Sequence, residues 1–168
     1  MPRSGGRADS DTENDPDIDP RAYLFALAPA LVVLAVTPAL AVFVPPLVDI
    51  DLGVARFLGL GPVVAGLVLA LWGVDSFARA GEPPSPADEP ERLVTTGALA
   101  HTRNPLYLGT VVAAAGAGIA LQSLLVVAYA AVLWGTYHVL TVYHEEPELR
   151  EKLGERYEEY CEEVPRWL

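Results

Sequence analysis

Long apolar segments alternate with short polar ones along most of this chain. An uncharged run extends from Ala22 to Val44, and a second apolar run extends from about Phe57 to Phe77. After a loop rich in Pro, Glu and Ser, a third apolar stretch continues from Pro105 to about Tyr143 and is interrupted at Gln122. A helix needs about 20 apolar residues to cross a hydrocarbon core of about 30 Å. The pattern therefore predicts about four membrane-spanning helices, the last two forming a hairpin.

The predicted helices carry apolar side chains on every face. A soluble four-helix bundle is the competing class, but its helices would need one polar face. Gly109, Ala113 and Ala117 recur every four residues and predict a small-residue face for close helix packing. We therefore expect an all-α integral membrane protein in which residues 21–168 form a single domain. The acidic segment 1–20 has no apolar run and is predicted to be disordered.

The charge of the chain is strongly acidic, with 22 acidic and 11 basic side chains among 168 residues. Lys152 is the only lysine. Many acids with almost no lysine are typical of proteins from a high-salt cytoplasm, such as that of a halophilic archaeon, where the Debye length falls to about 3 Å. An ordinary acidic bacterial protein is the alternative. No nucleic-acid partner is expected, because the sequence has no basic patch to neutralise phosphates.

Basic residues are distributed unevenly between the two sides of the predicted membrane topology. If the N-terminus is cytoplasmic, the outer segments carry only Arg56. The inner segments then carry all the other basic residues, which are Arg3, Arg7, Arg21, Arg79, Arg92, Arg103, Arg150, Lys152, Arg156 and Arg166. This distribution follows the positive-inside rule. It predicts a multi-pass protein of the cell membrane with both termini in the cytoplasm.

The C-terminal segment is polar but keeps a helical period. Apolar residues three or four positions apart predict one face of an amphipathic cytoplasmic helix; they are Leu149, Leu153, Tyr157, Tyr160, Val164 and Trp167. This helix would lie against the membrane surface or fold over a pocket. Cys161 is the single cysteine, so an internal disulfide and a cysteine-based zinc site are excluded. No metal is expected.

Two polar motifs bracket the apolar hairpin. Residues 103–109 (Arg-Asn-Pro-Leu-Tyr-Leu-Gly) precede it, and residues 144–146 (His-Glu-Glu) follow it. A hairpin that crosses the hydrocarbon and returns places both motifs at the same membrane face. They would then line one interfacial pocket, which can hold a zwitterionic cofactor while a lipophilic substrate arrives from the lipid.

Further short motifs accompany these two in a fixed order. They are Leu93-Val94-Thr95-Thr96-Gly97 before the first, Pro147-Glu148-Leu149 directly after the second, and then Gly154-Glu155-Arg156-Tyr157, Tyr160 and Val164-Pro165-Arg166. The ordered set, from about residue 93 to residue 167, resembles the isoprenylcysteine carboxyl methyltransferase and phospholipid methyltransferase families. Nothing before Leu93 resembles these families beyond being apolar.

The resemblance implies an integral-membrane enzyme that binds S-adenosylmethionine on the cytoplasmic side, with residues 93–168 as the cofactor module. The acceptor would be a lipophilic or lipidated molecule in membrane lipid, either a prenylcysteine-like carboxylate or a lipid amine. Arg103 is expected to take part in catalysis. The residues expected to bind the cofactor are Arg103, Asn104, Pro105, Tyr107, Gly109, Glu145 and Glu146.

The residue types agree with this chemistry. Asn104 is a favourable helix N-cap and Pro105 a favoured first helical residue, so the helix start would offer free N–H groups to a carboxylate. Arg103 can add a two-pronged contact to the same carboxylate. Glu145 or Glu146 can accept from the cofactor's ammonium or its ribose hydroxyls.

Methyl transfer is an in-line displacement, so the protein mainly aligns the reactants and excludes water. Tyr107 can offer an aromatic face to the sulfonium or the adenine. A carboxylate acceptor needs no general base, whereas an amine or a phenol needs one. His101 is then the first candidate base and His144 the second.

Two other functions remain open on the sequence. Some membrane sterol reductases share this C-terminal module and use NADPH, although this chain is shorter and has no basic cluster for a 2′-phosphate. A non-catalytic membrane subunit could also retain the scaffold. The site residues have simpler explanations too, since Arg103 and Tyr107 suit a membrane interface and adjacent acids suit the first turn of a helix.

Overall fold

The computed structural model describes residues 31, 33, 35–44, 51–82 and 93–168, and all regular structure in these ranges is helical. The α-helices are α1 (described at residues 31, 33 and 35–43), α2 (Leu60–Ala80), α3 (Pro105–Ala120), α4 (Leu124–Leu140), α5 (Glu146–Leu153) and α6 (Glu155–Glu163). Short 3-10 turns precede α2 and α3, and a π-helical turn, Thr141–Glu145, joins α4 to α5. The all-α class is confirmed, whereas the predicted disordered segment 1–20 lies outside the described residues.

Two helical stretches are long and apolar enough to cross a membrane, Gly53–Ala80 and Leu124–Leu153. On α2, the side chains of Val64, Val68 and Leu71 are 60%, 58% and 62% exposed. A row of exposed apolar side chains suits a lipid environment better than water. α3 is apolar but shorter, and the first apolar run lies partly outside the described residues. The count of four crossings therefore stays a prediction.

α2 and α3 pack antiparallel through opposing glycines. A Cβ atom added at Gly66 would collide with the backbone carbonyl of Gly109, and one added at Gly109 would collide with that of Gly66. The same reciprocal contact joins Gly59 to Gly116 two turns away. Helix backbones approach this closely only where both sides carry small residues. The glycines therefore fix how near α3 lies to α2.

This contact confirms part of the predicted small-residue face. Gly109 and Ala113 both lie against α2, since a Cβ atom at Gly66 would also meet the backbone of Ala113. Gly116 makes the next glycine contact, with Gly59. The glycines opposite α3 are Gly59, Gly66 and Gly73, which recur every seven positions.

The α3–α4 hairpin turns at Gln122 and Ser123, as the sequence predicts. Gln122 has a positive φ of 55°, and the Ser123 hydroxyl accepts from the Val126 N–H at 3.4 Å, which caps α4. The Gln122 Oε1 atom also accepts from the Leu52 N–H at 2.6 Å. The hairpin turn and the segment before α2 are therefore at the same end of the bundle.

The predicted C-terminal amphipathic helix is divided in two at Gly154, whose φ of 57° interrupts the helix between α5 and α6. The apolar face is nevertheless preserved. Tyr157, Tyr160 and Val164 are buried together and pack against apolar residues of both helices and against Leu93. The face thus packs on the protein itself, and the pocket that it was predicted to cover stays a prediction.

The glycine contact gives a test of the packing. We expect Gly66→Ala to lower the midpoint of thermal unfolding, because the added methyl group meets backbone atoms of α3, and overpacking of this kind costs about 1–3 kcal/mol. Gly61→Ala on the same helix is the control, since a Cβ atom at Gly61 meets nothing within 4 Å. Circular dichroism in detergent micelles gives both midpoints. Identical midpoints for the two variants would contradict the close contact.

Candidate functional site

The two polar motifs meet at one end of the helical bundle. Arg103 lies just before α3 and Glu146 is the first residue of α5. Their side chains form an ion pair, with 3.0 Å between Arg103 Nη1 and Glu146 Oε1. Glu146 is only 2% exposed. This arrangement confirms the prediction that the returning hairpin brings both motifs together.

The ion pair lies beyond the apolar part of its helix. The continuous helical stretch Leu124–Leu153 is about 45 Å long at the usual rise of about 1.5 Å per residue, whereas a hydrocarbon core is about 30 Å thick. No Asp, Glu, Lys or Arg occurs in this stretch before Glu145. A crossing by this stretch would therefore leave Glu145 and the residues after it on the water-facing side of the spanning segment.

Three arginines surround the carboxylate of Glu146. Arg166 donates from Nε to Oε1 at 2.5 Å and from Nη2 to Oε2 at 2.9 Å, while Arg150 donates to Oε2 at 3.1 Å. Burial alone would raise the pKa of Glu146, but the hydrogen bonds from Arg166 and the charges of all three arginines, Arg103 included, lower it. Glu146 is therefore ionised, and the three guanidinium groups leave the cluster with excess positive charge.

A C-terminal strap, residues 164–167, holds the start of α3. The Arg103 N–H donates to the carbonyl of Pro165 at 3.0 Å. The hydroxyl of Thr102, which is fully buried, donates to the carbonyl of Arg166 at 3.1 Å. Because the Arg166 side chain also binds Glu146, the strap ties both partners of the Arg103–Glu146 ion pair to one short segment.

Asn104 does not cap α3 with its side chain, which corrects the sequence-based expectation. Its Nδ2 atom donates instead to the carbonyl of Arg166 at 3.2 Å, and no side-chain hydrogen bond caps the helix at this residue. The strap supplies an acceptor that the sequence alone did not reveal. Pro105 is the first residue of α3, as predicted. The N-terminal N–H groups of α3 are thus left without a side-chain cap.

Glu145 has surroundings unlike those of Glu146. Its Oε1 atom accepts from the Tyr107 hydroxyl at 2.5 Å, and its Oε2 atom accepts from the Thr141 hydroxyl at 3.4 Å. The Tyr107 ring stacks on that of Tyr137 with 4.3 Å between centroids. Burial raises the pKa of Glu145 more than these two hydrogen bonds lower it. The pKa values of the two neighbouring acids are therefore shifted in opposite directions, that of Glu145 upward and that of Glu146 downward.

The contacts that the structure shows for His101, His144 and Gly109 do not involve the side chains of these two acids. His101 is exposed, and its ring lies 5.4 Å from that of Trp72 on α2. His144 is also exposed. In the part of the chain that the structure describes, no hydrogen bond or ion pair joins either histidine to the acids. Gly109 contacts α2 rather than the acids. The catalytic role of His101 stays a prediction.

Arg150 and Arg166 are site residues to which the sequence assigned no role. Arg150 follows Glu146 by four residues, a spacing that signals an ion pair on a helix and could have been recognised. Arg166 is separated from Glu146 by 20 residues. No local spacing rule connects residues that far apart across a helix break, so Arg166 appeared only within a family motif.

Arg103 retains an unused donor. Its Nη1 atom contacts both Glu146 and the thiol of Cys161, but its Nε atom is buried and has no hydrogen-bond partner. An unsatisfied buried donor costs about 1–3 kcal/mol or more. This donor lies next to the uncapped start of α3, within a cluster of excess positive charge. Such residues fit an anionic group, above all a carboxylate.

Comparison with known proteins adds one match. The family model for phospholipid methyltransferase matches residues 54–156. No curated protein and no solved structure matches the chain. The match begins well before Leu93 and takes in α2, so the expectation that the resemblance starts at Leu93 was wrong. An apolar helix without polar motifs gave no visible signal for this part.

The buried ion pairs give a test of the site's structural role. We expect Glu146→Gln to destabilise the protein by about 3 kcal/mol, because removing one partner of a buried ion pair leaves the other charge uncompensated. Glu158→Gln on α6 is the matched control, since Glu158 is exposed and exposed substitutions change stability by about 0.5 kcal/mol or less. Thermal unfolding in micelles measures both. A Glu146→Gln midpoint equal to the control would show that the arginines do not depend on this acid.

Proposed function

The chain belongs to the phospholipid methyltransferase family, and on this premise we propose that it is an integral-membrane enzyme that transfers a methyl group from S-adenosylmethionine to a lipophilic acceptor. The observation that carries the proposal is the buried, unpartnered Nε atom of Arg103. It lies where a water-facing cluster of charges meets the end of an apolar bundle. A charged cofactor and a lipid-soluble acceptor can meet only at such a boundary.

Arg103 and the start of α3 would hold the carboxylate of the cofactor. Asn104 and Pro105 place the first N–H groups of α3 beside Arg103, and both kinds of donor favour an anion. Glu146 would act through Arg103, because its own oxygens are occupied by arginines. Gly109 would act through packing, by keeping α3 close to α2.

The reaction requires alignment more than activation. S-adenosylmethionine supplies a methyl group on a positively charged sulfur. The Tyr107 ring lies one turn into α3 and can face that charge. Glu145 is the acid of the pair without a contacting basic side chain in the described structure. It is therefore suited to a cation, either the ammonium of the cofactor or that of an acceptor.

We extend the proposal to the topology, with both termini in the cytoplasm. The bundle end that holds Arg103, Arg150 and Arg166 would be the inner face, since basic residues favour that side. The other end, where Leu52 meets Gln122, would be the outer face. The high-salt cytoplasm inferred from the acidic composition also remains a proposal, and it sets the ionic strength for binding experiments.

Isothermal titration with S-adenosylhomocysteine tests the cofactor site. We expect the parent protein to bind at molar salt and Arg103→Lys to bind about 10-fold more weakly, a loss of about 1.4 kcal/mol, because lysine keeps the charge but has no guanidinium fork. Arg156→Lys on α6 is the matched control, since Arg156 is exposed. Equal affinities for both variants would place the carboxylate elsewhere.

The same titration separates the competing functions. A parent protein that binds NADPH and not S-adenosylhomocysteine would be a reductase. Binding of neither compound would point to a non-catalytic subunit.

Cysteine labelling in intact cells tests the topology. In a Cys161→Ser background, we expect cysteines at positions 51 and 123 to react only with reagent outside the cell and one at position 158 only with reagent inside. Positions 51 and 123 should behave alike, because Leu52 and Gln122 are hydrogen-bonded. Cytoplasmic labelling of position 51 would reverse the proposed orientation.

A further inference from the structure

The histidine of α4 has a polar partner on the C-terminal strap. His138 lies within the apolar sequence of α4, where an imidazole without a hydrogen bond is costly. The indole N–H of Trp167 donates to its Nδ1 atom at 3.2 Å. Because an indole nitrogen can only donate, Nδ1 must be the unprotonated nitrogen of the ring. The contact therefore requires a neutral imidazole with its proton on Nε2.

Three aromatic rings pack together at this contact. The ring of His138 stacks on that of Trp134, one turn earlier on α4, with 5.5 Å between centroids. The Trp167 ring lies 6.2 Å from the ring of His138 and 6.4 Å from that of Trp134. Trp134 is 45% exposed, and Trp167 is half-buried. The three rings are therefore on the outer surface of the bundle rather than in its core.

These rings lie on the apolar side of the arginine cluster. His138 precedes Glu146 by eight residues, which is about 12 Å along a helix. No Asp, Glu, Lys or Arg occurs between Leu124 and His138. The nearby exposed side chains of α4 are apolar too, since Val132 and Val139 are 68% and 51% exposed. In the proposed membrane arrangement this surface meets lipid, close to the membrane–water boundary where Trp is enriched.

The residue before Trp167 holds the segment that leads into α3. The carbonyl of Arg166 accepts from the Thr102 hydroxyl at 3.1 Å and from Asn104 Nδ2 at 3.2 Å. Arg103 lies between these two donors in the chain. The carbonyl of Arg166 belongs to the planar peptide unit that joins it to Trp167. The position of Trp167 therefore determines where this carbonyl points.

The strap also connects the two helices of the α3–α4 hairpin at their open end. At the other end, the turn at Gln122 and Ser123 joins the helices covalently. The strap is hydrogen-bonded to the residues just before α3 and, through Trp167, to His138 on α4. The separation of the two helices at the end that carries Arg103 thus depends on the strap.

We propose that the contact between Trp167 and His138 is a latch at the lipid-facing surface of α4, and that this latch keeps the cofactor site assembled by holding the strap against the start of α3. The inference rests on the proposed function. His138 is then a positioning residue, because it acts on Arg103 through Trp167 and the strap and does not touch the reactants. The partner of the latch is the bilayer, which covers the outer side of the Trp167 ring.

Substitutions that keep an aromatic ring in place test the hydrogen bond of the latch. His138→Phe removes the acceptor and keeps a ring against Trp134, and Trp167→Phe removes the donor. His138→Asn restores an acceptor oxygen at about the position of Nδ1. Tyr143→Phe is the matched control. Tyr143 lies just after α4 and is 70% exposed, and this variant likewise loses one polar group from an aromatic ring.

Affinity for S-adenosylhomocysteine is measured by isothermal titration at molar salt, in phosphatidylcholine nanodiscs and well below the unfolding temperature of each variant. We expect His138→Phe and Trp167→Phe to bind about 5-fold more weakly than the parent, as for loss of one hydrogen bond. The double variant should lose no more than either single variant, because both break the same contact. His138→Asn and Tyr143→Phe should bind within about twofold of the parent.

This measurement distinguishes positioning from general stabilisation. A contact that only stabilised the fold would lower the midpoint of thermal unfolding when broken. It would leave the affinity of the folded protein unchanged, because a ligand that binds the folded state senses only the population of that state.

Quenching of tryptophan fluorescence by brominated lipid tests where the latch lies. With Trp72→Phe and Trp134→Phe, Trp167 is the only tryptophan of the chain. We expect most of its emission to be lost in phosphatidylcholine nanodiscs whose acyl chains carry bromine near the headgroup, relative to unbrominated nanodiscs. The difference between the parent and Trp167→Phe in the same two lipids gives a second measurement that leaves the other two tryptophans in place.

Three outcomes would overturn the inference. Equal affinity of His138→Phe and the parent for S-adenosylhomocysteine would show that the latch does not act on the cofactor site. An affinity of His138→Asn as low as that of His138→Phe would show that the hydrogen bond is not the cause. Emission of Trp167 that brominated lipid leaves unchanged would place the ring away from the bilayer. A parent that binds no S-adenosylhomocysteine would instead defeat the proposed function itself.

Discussion

Burial of the Glu146 carboxylate obliges three separate parts of the chain to converge on one point. Arg103 comes from the segment before α3, Arg150 from the next turn of α5, and Arg166 from the C-terminal strap. A buried acid without these partners would cost several kcal/mol. The strap is therefore bound to the bundle by charge as well as by the apolar packing of α6. The site depends on this convergence, because the same contacts hold Arg103.

The glycine contact between α2 and α3 is the second constraint. It holds α3 on the side that faces α2, whereas the C-terminal strap holds the residues just before α3. Gly66 and Gly109 set the distance between the two backbones, and the position of α3 in turn sets where Tyr107 meets Glu145. α2 carries none of the residues proposed to touch the reactants. The family match nevertheless includes it, which agrees with a role in supporting α3.

The sequence predicted the helical class and the meeting of the two motifs, because hydrophobic length and a returning hairpin determine both. It could not predict which acid meets which partner. Neighbouring residues on a helix differ by about 100° in direction, so the assignment depends on the helix phase at Glu145 and Glu146. Arg166 and the hydrogen bond of Asn104 to the strap were also beyond prediction, since both connect parts of the chain that are distant in sequence.

The π-helical turn Thr141–Glu145 bears on how such a site can change over evolution. A turn of this kind is closed by i→i+5 hydrogen bonds and so holds about one residue more than an α-helical turn. Removing that residue would rotate everything after it by about 100° relative to α4, and both acids would leave their present partners together. A change of length at this turn would therefore change the direction of both acidic side chains at once. A single substitution, by contrast, would alter only one of the two acids.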